Sequence, residues 1–129
     1  MKHHRVWPLL VAAACVCAVP ASAHHPPASL FLENKTQSIE GTLIQIEIRN
    51  PHTIVHVEAP DGKGAVQLWA VEWLAALQLS RQRVDRTTLK PGDHLIVTGN
   101  PARNPQEHRL RVRTIVRPKD GWKWSGGFE

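Results

Sequence analysis

Histidine is the residue type best placed to do chemistry in this sequence. His24, His25, His52, His56, His94 and His108 all lie beyond the first 23 residues, and an imidazole is both a metal ligand and a group that titrates near neutral pH. His24 and His25 directly follow Ala21-Ser22-Ala23. If the chain is cut after Ala23, His24 carries an imidazole and a free α-amine, and a third nitrogen from His25 or His52 would complete a T-shaped copper site. Pro26 excludes the other common terminal copper chelate, which needs a backbone amide nitrogen there and a histidine at the third position. Such a site would hold Cu(II), because Cys15 and Cys17 precede the cut and Met1 is the only methionine. The alternative is a pair of solvated terminal histidines.

His52 and His56 stand four residues apart, about 13 Å on an extended strand. That is too far for one ion with ligand bonds of about 2 Å. His52 follows Pro51 in a turn and is the better metal candidate, with a turn histidine bonded to backbone as the alternative. His56, His94 and His108 read as surface residues. Arg109, Arg111, Arg113 and Arg117 share one parity of a strand and form a basic stripe. The stripe could hold an anionic ligand, a membrane phosphate or an acidic partner, Arg109, Arg111 and Arg113 above all; it could equally be the solvated face of an amphipathic strand. Trp69 and Trp73 are expected to pack a helix onto the core, and Trp122 and Trp124 to be either a stacking pair or tail aromatics folded back.

Catalytic signatures are missing. No serine motif with a matching histidine and acid, no phosphate-binding glycine loop and no H-E-x-x-H occurs. Glu47, Glu58 and Glu72 are isolated carboxylates with no partner evident from spacing, so the chain reads as non-enzymatic.

The segment ahead of His24 fixes the compartment these groups would work in. Lys2 and Arg5 precede an apolar run from Val6 to Val19, and Ala21-Ser22-Ala23 supplies an A-x-A cleavage site, the layout of a secretory signal peptide. The run is shorter than the roughly 20 residues that span a bilayer. Ala12-Ala13-Ala14 lacks the leucine-like residue expected before a lipidated Cys15. The product is periplasmic or secreted, without a transmembrane segment after processing. It has no thiol, so packing alone must hold it together. Its formal charge falls from +5 to +3 as Lys2 and Arg5 leave, and export argues against a nucleic-acid partner. A chain of 129 residues with 42% hydrophobic and 21% charged positions makes one small domain, which excludes a multidomain enzyme, wholesale disorder and a polytopic membrane protein.

The elements positioning these side chains read as follows. Residues 24–37, with Pro26 and Pro27, form an extended arm; Asn34-Lys35-Thr36 within it is taken as an accidental sequon. Ile44, Ile46 and Ile48 alternate with polar residues, whereas Ile39, Gly41 and Leu43 carry the apolar phase upstream, so the buried face switches near Gly41 to Ile44 at a bend or bulge. A second strand covers Thr53 to Glu58, Pro60-Asp61-Gly62 turns, and a third covers Ala65 to Glu72. Trp73 to Leu79 has apolar positions at 73, 74 and 77 and predicts a short helix. Lys90-Pro91-Gly92-Asp93 turns into a fourth strand, His94 to Thr98, and a Pro/Asn loop leads to a fifth, His108 to Arg117. A tail carrying Trp122 and Trp124 follows from Pro118.

Three strands, a short helix and two strands is the order of an all-β, five-stranded, OB-like Greek-key barrel, the alternative being an open meander with a packed helix. The layout is signal peptide 1–23, arm 24–37, barrel 38–118 and tail 119–129. Parity turns Ile44, Ile46, Val55, Val57, Leu95, Val97, Leu110 and Val112 inward.

Taken together, His24-His25 after the A-x-A site, Asn50-Pro51-His52, Trp69-Ala70-Val71-Glu72, Leu89-Lys90-Pro91-Gly92-Asp93 and Val97-Thr98-Gly99-Asn100-Pro101-Ala102 resemble the small secreted bacterial proteins catalogued as domain of unknown function 6152, over nearly the whole mature chain. The resemblance implies an envelope location and a similar β-rich fold, and carries no activity. Asn104-Pro105-Gln106-Glu107 departs from it, where family members have a glycine-containing acidic loop.

Three functional readings stand at this level. The chain is an exported OB-like module that binds a small ligand or an envelope protein, a periplasmic copper-binding protein using His24, or an accessory structural domain of an envelope complex.

Overall fold

A computed structural model describes residues 30–127 of the chain. Its elements are β1 (Gln37–Glu47), β2 (Ile54–Pro60), β3 (Val66–Glu72), α1 (Ala76–Arg81), β4 (His94–Pro101), β5 (Arg109–Arg117) and β6 (Trp122–Ser125), with a 3-10 turn at Pro105–Glu107. The sheet runs β3-β2-β1-β4-β5-β6. A parallel pairing of Ala70, Val71 and Glu72 with Arg109, Leu110 and Arg111 joins β3 to β5 and closes a five-stranded barrel. This is the all-β, OB-like architecture the element order predicts, and the closing ladder excludes the open meander.

Closure depends on β1 serving both halves. Its first part, Gln37 to Thr42, pairs with β4 and its second, Thr42 to Glu47, with β2. Between them the strand must bend, and at Gly41 a Cβ would run into the Glu58 carbonyl, so only glycine permits the approach. The expected switch of buried face follows at once as a bulge between Leu43 and Gln45. Leu43 is fully buried while Ile44 is 44% exposed, so Ile44 is not a core residue. Ile46 is half-buried and packs against the core edge. Val55, Val57, Leu95, Val97, Leu110 and Val112 are buried as parity requires.

A second bulge lies in β5. Thr98 pairs with Thr114 and Gly99 with Val112, leaving Arg113 as the extra residue. The inward phase therefore passes from Leu110 and Val112 to Ile115, and Arg117 does not continue the outward stripe of Arg109 and Arg111.

The helix begins three residues later than the Ala/Leu pattern predicts. Trp73 and Leu74 remain extended because their backbones bond to Thr53 on both sides, Trp73 N to Thr53 O at 2.8 Å and Thr53 N to Leu74 O at 3.1 Å. Gln78 Oε1 accepts the Ala75 N–H at 3.1 Å and closes the first turn. Within α1 Leu79 is buried and Leu77 exposed, so the expected 73, 74, 77 stripe is not the packing stripe.

The tail is structured. β6 pairs with Thr114–Arg117 of β5, and Trp124 is buried edge-on against Trp73, centroids 5.2 Å apart, with Nε1 donating to Gln82 Oε1 at 2.6 Å. The tail aromatic thus folds back over the helix. The described part of the arm is also fixed. Phe31 bridges to Ala102, Leu32 N donates to Pro101 O at 2.9 Å, and Asn100 Nδ2 reaches the carbonyls of Leu32, Glu33 and Lys35. No helix among the described residues is long and apolar enough to cross a membrane.

Candidate ligand-binding cleft

A cleft of about 480 Å³ lies between the β2–β3 turn and the β4–β5 loop. It exists because the β3–β5 ladder is only three residues long, so the barrel wall opens toward the start of β3. The volume falls in the range of small-molecule sites. Trp69 and His108 meet in it edge to face, ring centroids 5.2 Å apart at 74°. Trp69 is held by Nε1, which donates to Ala59 O at 3.2 Å. His108 caps the 3-10 turn in a left-handed conformation, φ 46°, and its carbonyl accepts Ala70 N–H at 3.0 Å. A non-glycine residue there costs about 1 kcal/mol, which the Trp69 contact and the strand bond offset.

The turn opposite is built by Asp61. Its Oδ1 accepts the backbone N–H of Lys63 at 2.8 Å and of Ala65 at 3.1 Å, and its Oδ2 accepts Gln67 Nε2 at 3.2 Å. The Lys63 N–H bond is the largest influence on its acidity and holds the carboxyl below its ordinary value. His108 Nε2 stands 3.9 Å from Oδ2. The remaining wall combines Pro101, Ala102 and Pro105 with the amides of Gln37, Asn104 and Gln106 and the cations Lys63 and Arg109. Among the described residues the lining contains no hydroxyl or thiol nucleophile.

Arg109 connects the cleft to a second cluster. Glu72, its side chain 8% exposed, receives Arg109 Nη2 at 3.5 Å and His52 Nδ1 at 2.8 Å. Arg109 also approaches Glu107 at 3.8 Å. Arg111 lies under the arm, 12% exposed, with its guanidinium 4.7 Å from the Phe31 ring centroid and 3.9 Å from Glu33. Arg113 Nε donates to Asn100 Oδ1 at 2.8 Å. The expected basic surface of Arg109, Arg111 and Arg113 is therefore largely turned to internal partners: each guanidinium has an acceptor or a ring of this chain beside it. Arg117, past the bulge, pairs with Asp93 at 2.9 Å and Asp120 at 2.8 Å and belongs to a separate cluster with Lys119.

His52, read as a turn histidine bonded to backbone or to metal, faces a carboxylate. His24 and His25 lie outside the described residues. His56 bonds to Glu47 at 3.0 Å and exposed His94 to Glu40 at 2.8 Å. Glu47 and Glu72 are thus not isolated carboxylates. Cross-strand register brings the partners together, Gln45 opposite His56 and Ile54 opposite Glu72, and linear spacing carries no trace of it. Reading the sequence as strands also missed His108, taken for a surface residue; the signal available was the turn-rich Asn104-Pro105-Gln106-Glu107 beside it. Among the described residues no group of three or more His, Cys, Asp or Glu side chains could hold a metal ion.

Comparison with curated proteins gives no match, and none of the solved structures matches either. A family model matches over residues 12–111, described as a family of unknown function. The match takes in every strand from β1 to β4, α1, the cleft loops and the first residues of β5. By this match the chain belongs to the family of unknown function DUF6152.

Proposed function

We propose that this chain is an exported, non-catalytic binding module of the bacterial envelope and that the cleft beside Trp69 and His108 is where it binds a small ligand. The carrying observation is the position of that cleft: it opens next to the β4–β5 loop of an OB-like barrel, the side on which such barrels place their binding loops, and it combines an aromatic floor with convergent polar groups. A catalytic reading has less support, because Asp61 is held by three hydrogen bonds within its turn and no hydroxyl or thiol among the described residues lines the walls. Export rests on Lys2, Arg5, the apolar run and Ala21-Ser22-Ala23. The test is a nuclear magnetic resonance titration of the chain from His24 to Glu129 against a set of small polar aromatic molecules. Shifts gathered on the Trp69 indole and the amides of Lys63, Asn104 and His108 support the reading. Shifts gathered elsewhere, or none, overturn it.

A second reading, Cu(II) capture by His24 with His25 or His52, is favoured by the His52–Glu72 contact. A carboxylate on one imidazole nitrogen is the usual means of orienting a metal-binding histidine. Leu30 O accepts Arg103 N–H at 3.1 Å, and the six residues from His24 to Ser29 could span at most about 20 Å beyond it. Electron paramagnetic resonance of copper added to the chain starting at His24, and to one with an alanine placed before it, decides the matter. Distinct spectra and weaker binding in the extended chain support it; identical behaviour ends it.

A further inference from the structure

Resting on the cleft reading, we propose that the ligand is a small organic oxyanion: a carboxylate, sulfonate or phosphate group on an apolar body one or two rings across. The charges lining the cleft are not balanced in use. Asp61, the only carboxylate among the described lining residues, has three acceptor positions filled by Lys63 N, Ala65 N and Gln67 Nε2, and two cations, Lys63 and Arg109, share the lining with it. The Lys63 ammonium, on the same exposed turn, makes no ion pair or side-chain hydrogen bond among the described residues. Arg109 holds its two carboxylates at 3.5 and 3.8 Å, long for a fork that bonds carboxylates at about 2.8 Å, and keeps donors for a third anion. Asn104 accepts Gln106 N–H with Oδ1 at 3.1 Å, which leaves its NH₂ as a donor. Cationic and amide donors thus converge over apolar walls, Pro101, Ala102 and Pro105, and over an aromatic floor. That arrangement recognises a charged head and a flat apolar body.

The experiment compares three probes of one shape, naphthalene-2-carboxylate, naphthalene-2-carboxamide and 2-(aminomethyl)naphthalene, at low ionic strength, following the Trp69 indole resonance. It uses the chain from His24 to Glu129 and its Lys63→Gln and Lys63→Glu variants, which break no ion pair or side-chain hydrogen bond among the described residues and lie on an exposed turn. The carboxylate is expected to bind about tenfold more tightly than the carboxamide, a ratio that one added charged hydrogen bond supplies. Lys63→Gln should reduce the preference, Lys63→Glu should abolish it, and rising salt should weaken it. Equal binding of carboxylate and carboxamide in the cleft, or preference for the amine, overturns the anion assignment and leaves the cleft reading standing. No cleft shift with any probe overturns both.

Discussion

His108 lies edge-on to Trp69 with ring centroids 5.2 Å apart, so the β4–β5 loop is locked to β3 at the point where the barrel wall opens. The same histidine passes its carbonyl to Ala70 N, ending the β3–β5 ladder. Floor and closure of the cleft are therefore one construction, and the loop that departs from the family resemblance, Asn104 to Glu107, is the one that roofs it.

The bulge in β1 makes neighbouring residues respond in opposite ways. Leu43→Asp should cost several kcal/mol, because it buries an unpaired charge. Ile44→Asp, on the outer surface, should stay within about 0.5 kcal/mol of the native protein. Urea unfolding of the two variants measures the difference; equal losses would place the bulge elsewhere.

Trp124→Ala should destabilise by about 3 to 5 kcal/mol, as for a buried core tryptophan, because the ring covers Trp73 and its indole N–H bonds to Gln82. A thermal melt unchanged by the substitution would show that β6 is not part of the folded barrel.

The first five strands were legible in chain order because period-two patterning marks each of them, and their order with the helix pointed to the barrel; even the switch of face at Gly41 was visible as a change of parity, whereas β6, read as tail, was not. What the parity could not mark was the residue taken up by a bulge. Ile44 and Arg113 are each the odd residue in a pairing, and a bulge is set by the partner strand. The helix start failed for a related reason, since Trp73 and Leu74 are held extended by Thr53, twenty residues earlier. The His52–Glu72 and His56–Glu47 pairs depend on register between strands, so spacing along the chain left Glu72 and Glu47 looking solitary. His24 and His25 lie outside the described residues, and their part in the candidate copper site stands as the N-terminal sequence alone left it.

Glu72 faces His52 and Arg109 from a nearly buried position. Glu72→Ala should cost about 1 to 3 kcal/mol by leaving those donors unmatched, whereas Glu72→Gln, which keeps an acceptor, should cost less. Chemical denaturation of both variants gives the ranking, and the reverse order would contradict the contact.

Asp93 gives the fold an acid limit. Burial pushes its carboxyl up, but the Lys90 N–H together with Lys119 and Arg117 outweighs burial and holds it at about 2, below the ordinary 3.8. A depressed folded pKa means the stabilisation is present above the unfolded value near 3.9 and disappears as pH falls through about 2. The stability gap between the native protein and Asp93→Asn should therefore be widest above pH 5 and shrink toward pH 2. A constant gap across that interval would contradict the assignment.

The cleft between the β2–β3 turn and the β4–β5 loop is the proposed binding site. A crystal structure of the chain from His24 to Glu129 soaked with naphthalene-2-carboxylate tests it most directly. The ring should lie against Trp69 and His108 with its carboxylate toward Lys63 and Arg109. Density for the probe elsewhere on the barrel, with the cleft holding only solvent, would contradict it.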